Sequence, residues 1–173
     1  MKNKNQRLAC IDIGSNAIKY RQYRISTQKR KVFAELDTFK RISVRLGTDA
    51  FKFKKISSET EQKLLESIIK LKDKADKKDI KIISGVATSA MRTVSNGHKI
   101  CKKITKKTDI KIKILSGNEE AQLLNFFNYK SFKKEETVVV DIGGGSTEIF
   151  YQGNGKNLAK SFPLGAVRIL EKK

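Results

Sequence analysis

The strongest constraint on the fold is a short phrase that occurs twice. Ile11-Asp12-Ile13-Gly14-Ser15 and Val140-Asp141-Ile142-Gly143 each place an aspartate near the end of an apolar stretch, then glycine, then a second extended stretch. An apolar run that stops at Gly-Ser-Asn or Gly-Gly-Gly is a strand halted by a turn, and the residues beyond it return as a hairpin partner. Two such hairpins with helical patterns between them argue for two halves of a duplicated architecture. The first half is expected to be complete over residues 1–135. The second, 136–173, is expected to hold three opening strands.

The local patterns fill in this frame. Residues 7–13 and 18–25 read as the first hairpin, and 31–46 hold a third extended stretch that closes at Gly47. Ser58 and Glu61 have the spacing of a capping box ahead of Leu64, Leu65, Ile68, Ile69 and Leu71, which predicts an amphipathic helix to about Lys78. KIISGVA (81–87) is a short apolar strand, followed by a helix from about Ser89 with Met91, Val94, Cys101 and Ile104 inward. Residues 110–115 alternate apolar residues with lysine, which suits an edge strand guarded against pairing with other chains. A third helix begins near Ser116 and carries Ala121, Leu123, Leu124, Phe126 and Phe127. The Lys-Glu stretch 130–136 is the expected boundary. Beyond it, TVVVDIG (137–143) predicts a central strand buried on both faces, STEIFYQG (146–153) its hairpin partner, and a third extended piece ends in PLGAVRI (163–169).

Composition narrows the function. A length of 173 residues suits one ordinary domain or two small ones. The net charge of +20 is an attractive field for polyanions, although the lysines are dispersed and also serve to solvate the surface. No apolar run approaches the ~18 residues of a membrane span, and MKNKNQRLAC lacks a signal-peptide core, so a cytoplasmic protein without membrane contact is expected. Cys10 and Cys101 form no CxxC and His98 is the single histidine, which argues against zinc sites and histidine-based triads. Sparse aromatics, 8%, and the lack of a recognition motif argue against nucleic acid. There is no Walker A loop, since Phe150 stands where Gly155-Lys156 would need a glycine.

Three segments carry chemistry. In Asp141-Ile142-Gly143-Gly144-Gly145-Ser146-Thr147-Glu148, the glycines permit positive φ angles and bare backbone N–H groups that can cradle phosphate oxygens. With Gly144-Gly145 central to a tight turn, Asp141 lies opposite Glu148; facing carboxylates need a cation between them, and Mg²⁺ suits oxygen ligands. The alternative is a plain glycine hairpin with two exposed acids. In Ser116-Gly117-Asn118-Glu119-Glu120, a capping box engages Glu119 and leaves Glu120 free, as a helix-dipole partner or as a general base. At the strand-to-helix junction Ala87–Arg92, Thr88 and Ser89 are ordinary N-cap residues and Arg92 can reach a phosphate with two donors.

IDIGSN (11–16), ATSAMR (87–92), SGNEEA (116–121), VDIGGGSTEI (140–149) and PLGAVR (163–168) follow one another in the order and approximate spacing of the exopolyphosphatase / guanosine pentaphosphate phosphohydrolase family. The chain resembles that family from residue 8 to 170. The resemblance implies an α/β chain of the actin-like ATPase superfold: one ribonuclease H-like domain with a mixed five-stranded sheet and helices, plus the first three strands of a second, with the active-site cleft between them. It implies that Asp12, Gly14, Ser15 and Asn16 belong to a first phosphate loop and that Arg92 contacts phosphate. Gly143, Gly144, Gly145 and Ser146 would form the second phosphate loop, Asp141 and Glu148 would line the metal site, and Glu120 would be the catalytic base. The implied reaction is release of terminal phosphate from polyphosphate or guanosine pentaphosphate by water, with Mg²⁺. Family members continue past the third strand of the second domain, so the expectation is a fragment or a short natural form. Its uncovered second sheet would favour self-association, and a non-catalytic module binding the same polyanions is the alternative.

Overall fold

The computed structural model describes residues 6–28, 31–125 and 136–171. Strands β1 (Gln6–Ile13), β2 (Ala17–Gln28) and β3 (Lys31–Ser43) form an antiparallel ribbon, followed by helices α1 (Leu46–Phe53) and α2 (Ser58–Asp76). Then come β4 (Lys81–Ala87), α3 (Ser89–Thr93), α4 (Gly97–Thr108), β5 (Ile112–Ile114) and α5 (Gly117–Leu123). The five strands form one mixed sheet in the order β3-β2-β1-β4-β5, with β4 parallel to both β1 and β5. A second sheet, β6 (Thr137–Ile142), β7 (Thr147–Gly153) and β8 (Lys156–Phe162), is an antiparallel meander that ends in α6 (Ala166–Leu170).

Alternation in β1 explains the core. Ala9, Ile11 and Ile13 are buried, as are Ile18 and Tyr20 of β2, in one cluster with Leu64, Ile68, Leu71 and Ala75 of α2 and Ile100, Cys101 and Ile104 of α4. Each large apolar side chain in this layer contributes about 1.5–3 kcal/mol by leaving water. Because β1, β4 and β5 are parallel, their C-terminal ends lie together, and the segments that follow Ile13, Ala87 and Ile114 share one edge of the sheet. Ligand sites in open α/β sheets form at that edge.

The structure departs from the sequence reading in five places. Residues 31–46 hold the expected strand, β3, but it stops at Ser43, and α1, which the sequence reading lacks, begins at Leu46 and turns Ala50 and Phe51 into the core. The N-cap of α2 is Ser57 rather than Ser58, its hydroxyl accepting from the Thr60 N–H at 3.2 Å; buried Ile56, just before it, sets where the chain enters. The expected single helix from Ser89 is two, because the Asn96 amide turns aside to pair with both backbone groups of Ile56, at 3.0 and 2.9 Å. Strand β6 is an edge, not a centre: Val138, Val140 and Ile142 are 60%, 52% and 72% exposed, and β7 is the middle strand. An apolar run shows that a strand can be covered on both faces, not that anything in this chain covers it. Finally, 163–169 is not extended. Pro163 lacks the N–H a ladder needs, the Leu164 N–H folds back to the Phe162 carbonyl at 2.8 Å, and α6 follows. Phe126, Phe127 and most of the 130–136 boundary lie outside the described residues.

Candidate active site

Two hairpin loops face each other. Residues 14–16 join β1 to β2, closed by Gly14 N–H to the Ala17 carbonyl at 3.1 Å; residues 143–146 join β6 to β7, closed by Gly143 N–H to the Ser146 carbonyl at 2.9 Å. A Cβ on Gly144 would sit 3.3 Å from the Ser15 Cβ, and one on Gly145 would sit 2.5 Å from both the Ser15 Oγ and the Phe51 Cζ. These glycines are required by close approach. None of Gly143, Gly144 and Gly145 has a positive φ, contrary to the reason the sequence suggested. Ser15 and Ser146 are buried at 4% and 3% exposure. The N–H groups of Ser15, Asn16, Gly144, Gly145 and Ser146 have no acceptor among the described residues. Buried donors left this way lose their hydration without compensation, and a loop that gathers several of them can receive an anion.

The loops are held from behind in the same manner. The Ser15 carbonyl accepts from Gly47 N–H at 2.7 Å, and the Asn16 carbonyl from Val44 and Arg45 N–H, at the entry to α1. In the second loop the Gly143 carbonyl accepts from Ala166 N–H, and the Gly144 carbonyl from Val167 and Arg168 N–H, at the start of α6. The two braces differ in detail: Leu46 and Gly47 are the buried first residues of α1, whereas Leu164 is exposed and Gly165 is the N-cap of α6. Residues of the site that the sequence patterns did not mark include Arg168 and Phe51, the guanidinium carbon of the first lying 4.1 Å from the ring centroid of the second, beside the glycine loop.

Beside the loops lies an acidic cluster drawn from both sheets. The capping box at α5 forms as expected: Ser116 accepts from Glu119 N–H, Glu119 accepts from Ser116 N–H at 2.8 Å, and Lys113 joins at 2.6 Å. These contacts pull the Glu119 carboxyl down to about 2. Its neighbour Glu120 points inward to Arg92, at 3.0 Å. Burial, and next the charge of Glu148, push Glu120 up to about 7 against the pull of Arg92, with a further push from Asp12. Arg92 also donates to the Leu115 carbonyl, so its guanidinium ties α3 to the start of α5. Asp12 is paired with Lys19 at 3.3 Å. The Asp141–Glu148 pairing has the expected register; Glu148 is buried and accepts from Ser161 at 2.7 Å, whereas Asp141 is exposed.

The donor set is all carboxylate oxygen, the chemistry that suits a hard cation such as Mg²⁺, which takes one or two carboxylates and fills its shell with water and phosphate. No group of three or more His, Cys, Asp or Glu side chains forms a ready cage among the described residues. The residues therefore fit a cation shared with a phosphate ligand rather than one enclosed by protein.

A mixed five-stranded sheet and a second three-stranded sheet meeting at two opposed hairpin loops define an actin-like ATPase fold. The model of the Ppx/GppA phosphatase family matches residues 25–173, and the chain belongs to that family. It is 36% identical, over 95% of its length, to a bifunctional 3-dehydroquinate synthase/phosphatase of Fusobacterium nucleatum, of which it spans 26%. A crystal structure of an exopolyphosphatase from Cytophaga hutchinsonii superposes with a TM-score of 0.82 at 22% identity, covering 97% of this chain and 54% of that one. The Aquifex aeolicus Ppx/GppA family member gives a TM-score of 0.77 at 23% identity, over 96% and 54%. The chain thus spans about half the length of these solved structures and about a quarter of the curated relative. No helix among the described residues is long and apolar enough to cross a membrane.

Proposed function

We propose that this chain carries the phosphate loops and the general base of a phosphohydrolase that releases terminal phosphate from inorganic polyphosphate or guanosine pentaphosphate. The observation that carries the reading is the position of Glu120: a buried carboxyl raised to about 7, beside Glu148 and Arg92, at the junction of the two sheets where the unclaimed loop N–H groups gather. A base with its pKa near neutrality takes a proton from water and still exists as carboxylate at working pH. In the proposed reaction the loops at 14–16 and 143–146 hold the terminal phosphoryl oxygens by backbone N–H groups and by the Ser15 and Ser146 hydroxyls. Glu120 accepts the proton of the water whose oxygen forms the new P–O bond, and the P–O bond to the rest of the substrate breaks in line. Arg92 holds Glu120 in place and supplies positive charge next to the phosphoryl group. Asp141 and Glu148 would hold Mg²⁺, which when bound neutralises charge on the phosphoryl oxygens. The +20 charge favours linear polyanions as substrates over neutral ones.

Steady-state phosphate release from tripolyphosphate with Mg²⁺ tests this. Glu120→Gln should lower turnover by about 10²–10⁴ while leaving binding intact, and Glu119→Gln, which loses a cap, should retain most activity. Equal losses at the two positions would show that the roles are misassigned. A parent chain that binds tripolyphosphate without releasing phosphate would mark it as a polyanion-binding module.

A further inference from the structure

We propose that Arg168 is the positioning residue of the glycine loop: its guanidinium ties the Gly145 carbonyl to two hydroxyls of α3, so that the loop's N–H groups and the Arg92–Glu120 pair stay in register. The inference rests on the reading of residues 143–146 as a phosphate loop.

Arg168 makes three side-chain hydrogen bonds. Its Nε donates to the Gly145 carbonyl at 2.7 Å, and one terminal nitrogen donates to Ser89 Oγ at 3.1 Å and Thr93 Oγ1 at 3.2 Å. The guanidinium carbon lies over the Phe51 ring, 4.1 Å from its centroid. A planar fork can meet acceptors on two elements while stacking on a third; an ammonium cannot.

The consequence for the loop follows from peptide geometry. In a trans peptide the C=O of one residue and the N–H of the next point in opposite directions. The Gly143 carbonyl is held by Ala166 N–H, the Gly144 carbonyl by Val167 and Arg168 N–H, and the Gly145 carbonyl by the Arg168 side chain. All three carbonyls face α6, so the N–H groups of Gly144, Gly145 and Ser146 are turned away from it, as a group. Backbone contacts fix the first two peptides; the third depends on one side chain. The opposite end of the same guanidinium grips Ser89 and Thr93, which flank Arg92 on the short helix α3, and Arg92 is the partner of Glu120. Arg168 therefore couples the orientation of the last loop peptide to the placement of the base.

The experiment uses the ¹⁵N-labelled full chain titrated with tripolyphosphate, reading the amide shifts of Gly144, Gly145 and Ser146, together with thermal melts and the titration midpoint of the Glu120 carboxyl. The parent should show saturable shifts at these three amides. Arg168→Lys keeps the charge but loses the fork; it should melt as a folded protein, bind about tenfold more weakly, and shift Ser146 least of the three. With Arg92 less firmly held, the Glu120 midpoint should rise further. A parent without shifts at the loop would overturn the phosphate-loop reading and this inference with it. Parent-like affinity and an unchanged Glu120 midpoint in Arg168→Lys would overturn the role of Arg168 alone. If Arg168→Lys does not fold, Ser89→Ala combined with Thr93→Val removes the two bonds to α3 and leaves the Gly145 bond, and parent-like binding with an unchanged Glu120 midpoint there counts against the coupling.

Discussion

Adjacent carboxylates in this chain have opposite chemistry, and the difference sets a pH dependence. Glu119 is held at about 2 by its cap and Lys113, while Glu120 is raised to about 7 by burial and by Glu148. A carboxyl whose folded pKa lies above its ordinary 4.5 binds its proton more tightly in the folded state. Stability from that proton is fully present below about 4.5 and is lost as pH rises to about 7. Glu120→Gln should therefore melt higher than the parent at pH 8 and no higher at pH 4, the reverse of what loss of a structural ion pair would give. Differential scanning calorimetry at the two pH values checks this, and a lower melting point at pH 8 would mean that Arg92 outweighs burial. The division of labour between the two glutamates was legible in the sequence, because the Ser116–Glu119 spacing is local. The raised pKa of Glu120 was not, since it depends on burial and on Glu148 from the other sheet.

At the scale of elements, strands and long helices were readable because each announces itself by its own periodicity. β1 alternates, and α2 repeats leucine and isoleucine on one face. The helices that were missed, α1 and α6, have eight and five residues and too few turns to show a face. Their positions are set instead by the loop carbonyls that their first N–H groups satisfy, an interaction between segments far apart in the chain. This makes Gly165 the most sensitive glycine of the second unit. A Cβ there would lie 2.5 Å from the backbone nitrogens of Gly145 and Ser146, where no side chain can move aside. Gly165→Ala should cost about 1–3 kcal/mol and displace the loop, while Gly155→Ala, at positive φ but in open space, should cost about 1 kcal/mol and leave phosphate binding unchanged. Urea titration of the two variants alongside tripolyphosphate binding separates the effects, and unaltered binding in Gly165→Ala would show that the loop tolerates the shift.

For the molecule as a whole, both sheets leave apolar strand surface open. Helices α2 and α4 layer part of the first, yet its β3 exposes Val32, Phe33, Leu36 and Phe39, and in the second sheet β6 and β8 expose Val138, Val140, Ile142 and Leu158. Exposed apolar side chains in one strand face and an unpaired strand edge favour association between copies. Light scattering on the 173-residue chain should show mass rising with concentration, and Val140→Lys with Ile142→Lys should suppress the rise; a clean monomer at high concentration would refute the expectation. The way α6 backs the glycine loop also has a bearing on synthesis. The first hairpin loop is braced by residues 44–47, so it can be finished early, soon after the β2–β3 ribbon forms. The second waits for residues 166–168, and it closes against Ser15, Phe51 and Ser89, which are already in place. The second loop is thus braced only once residues 166–168 have been made, well after the segment that braces the first.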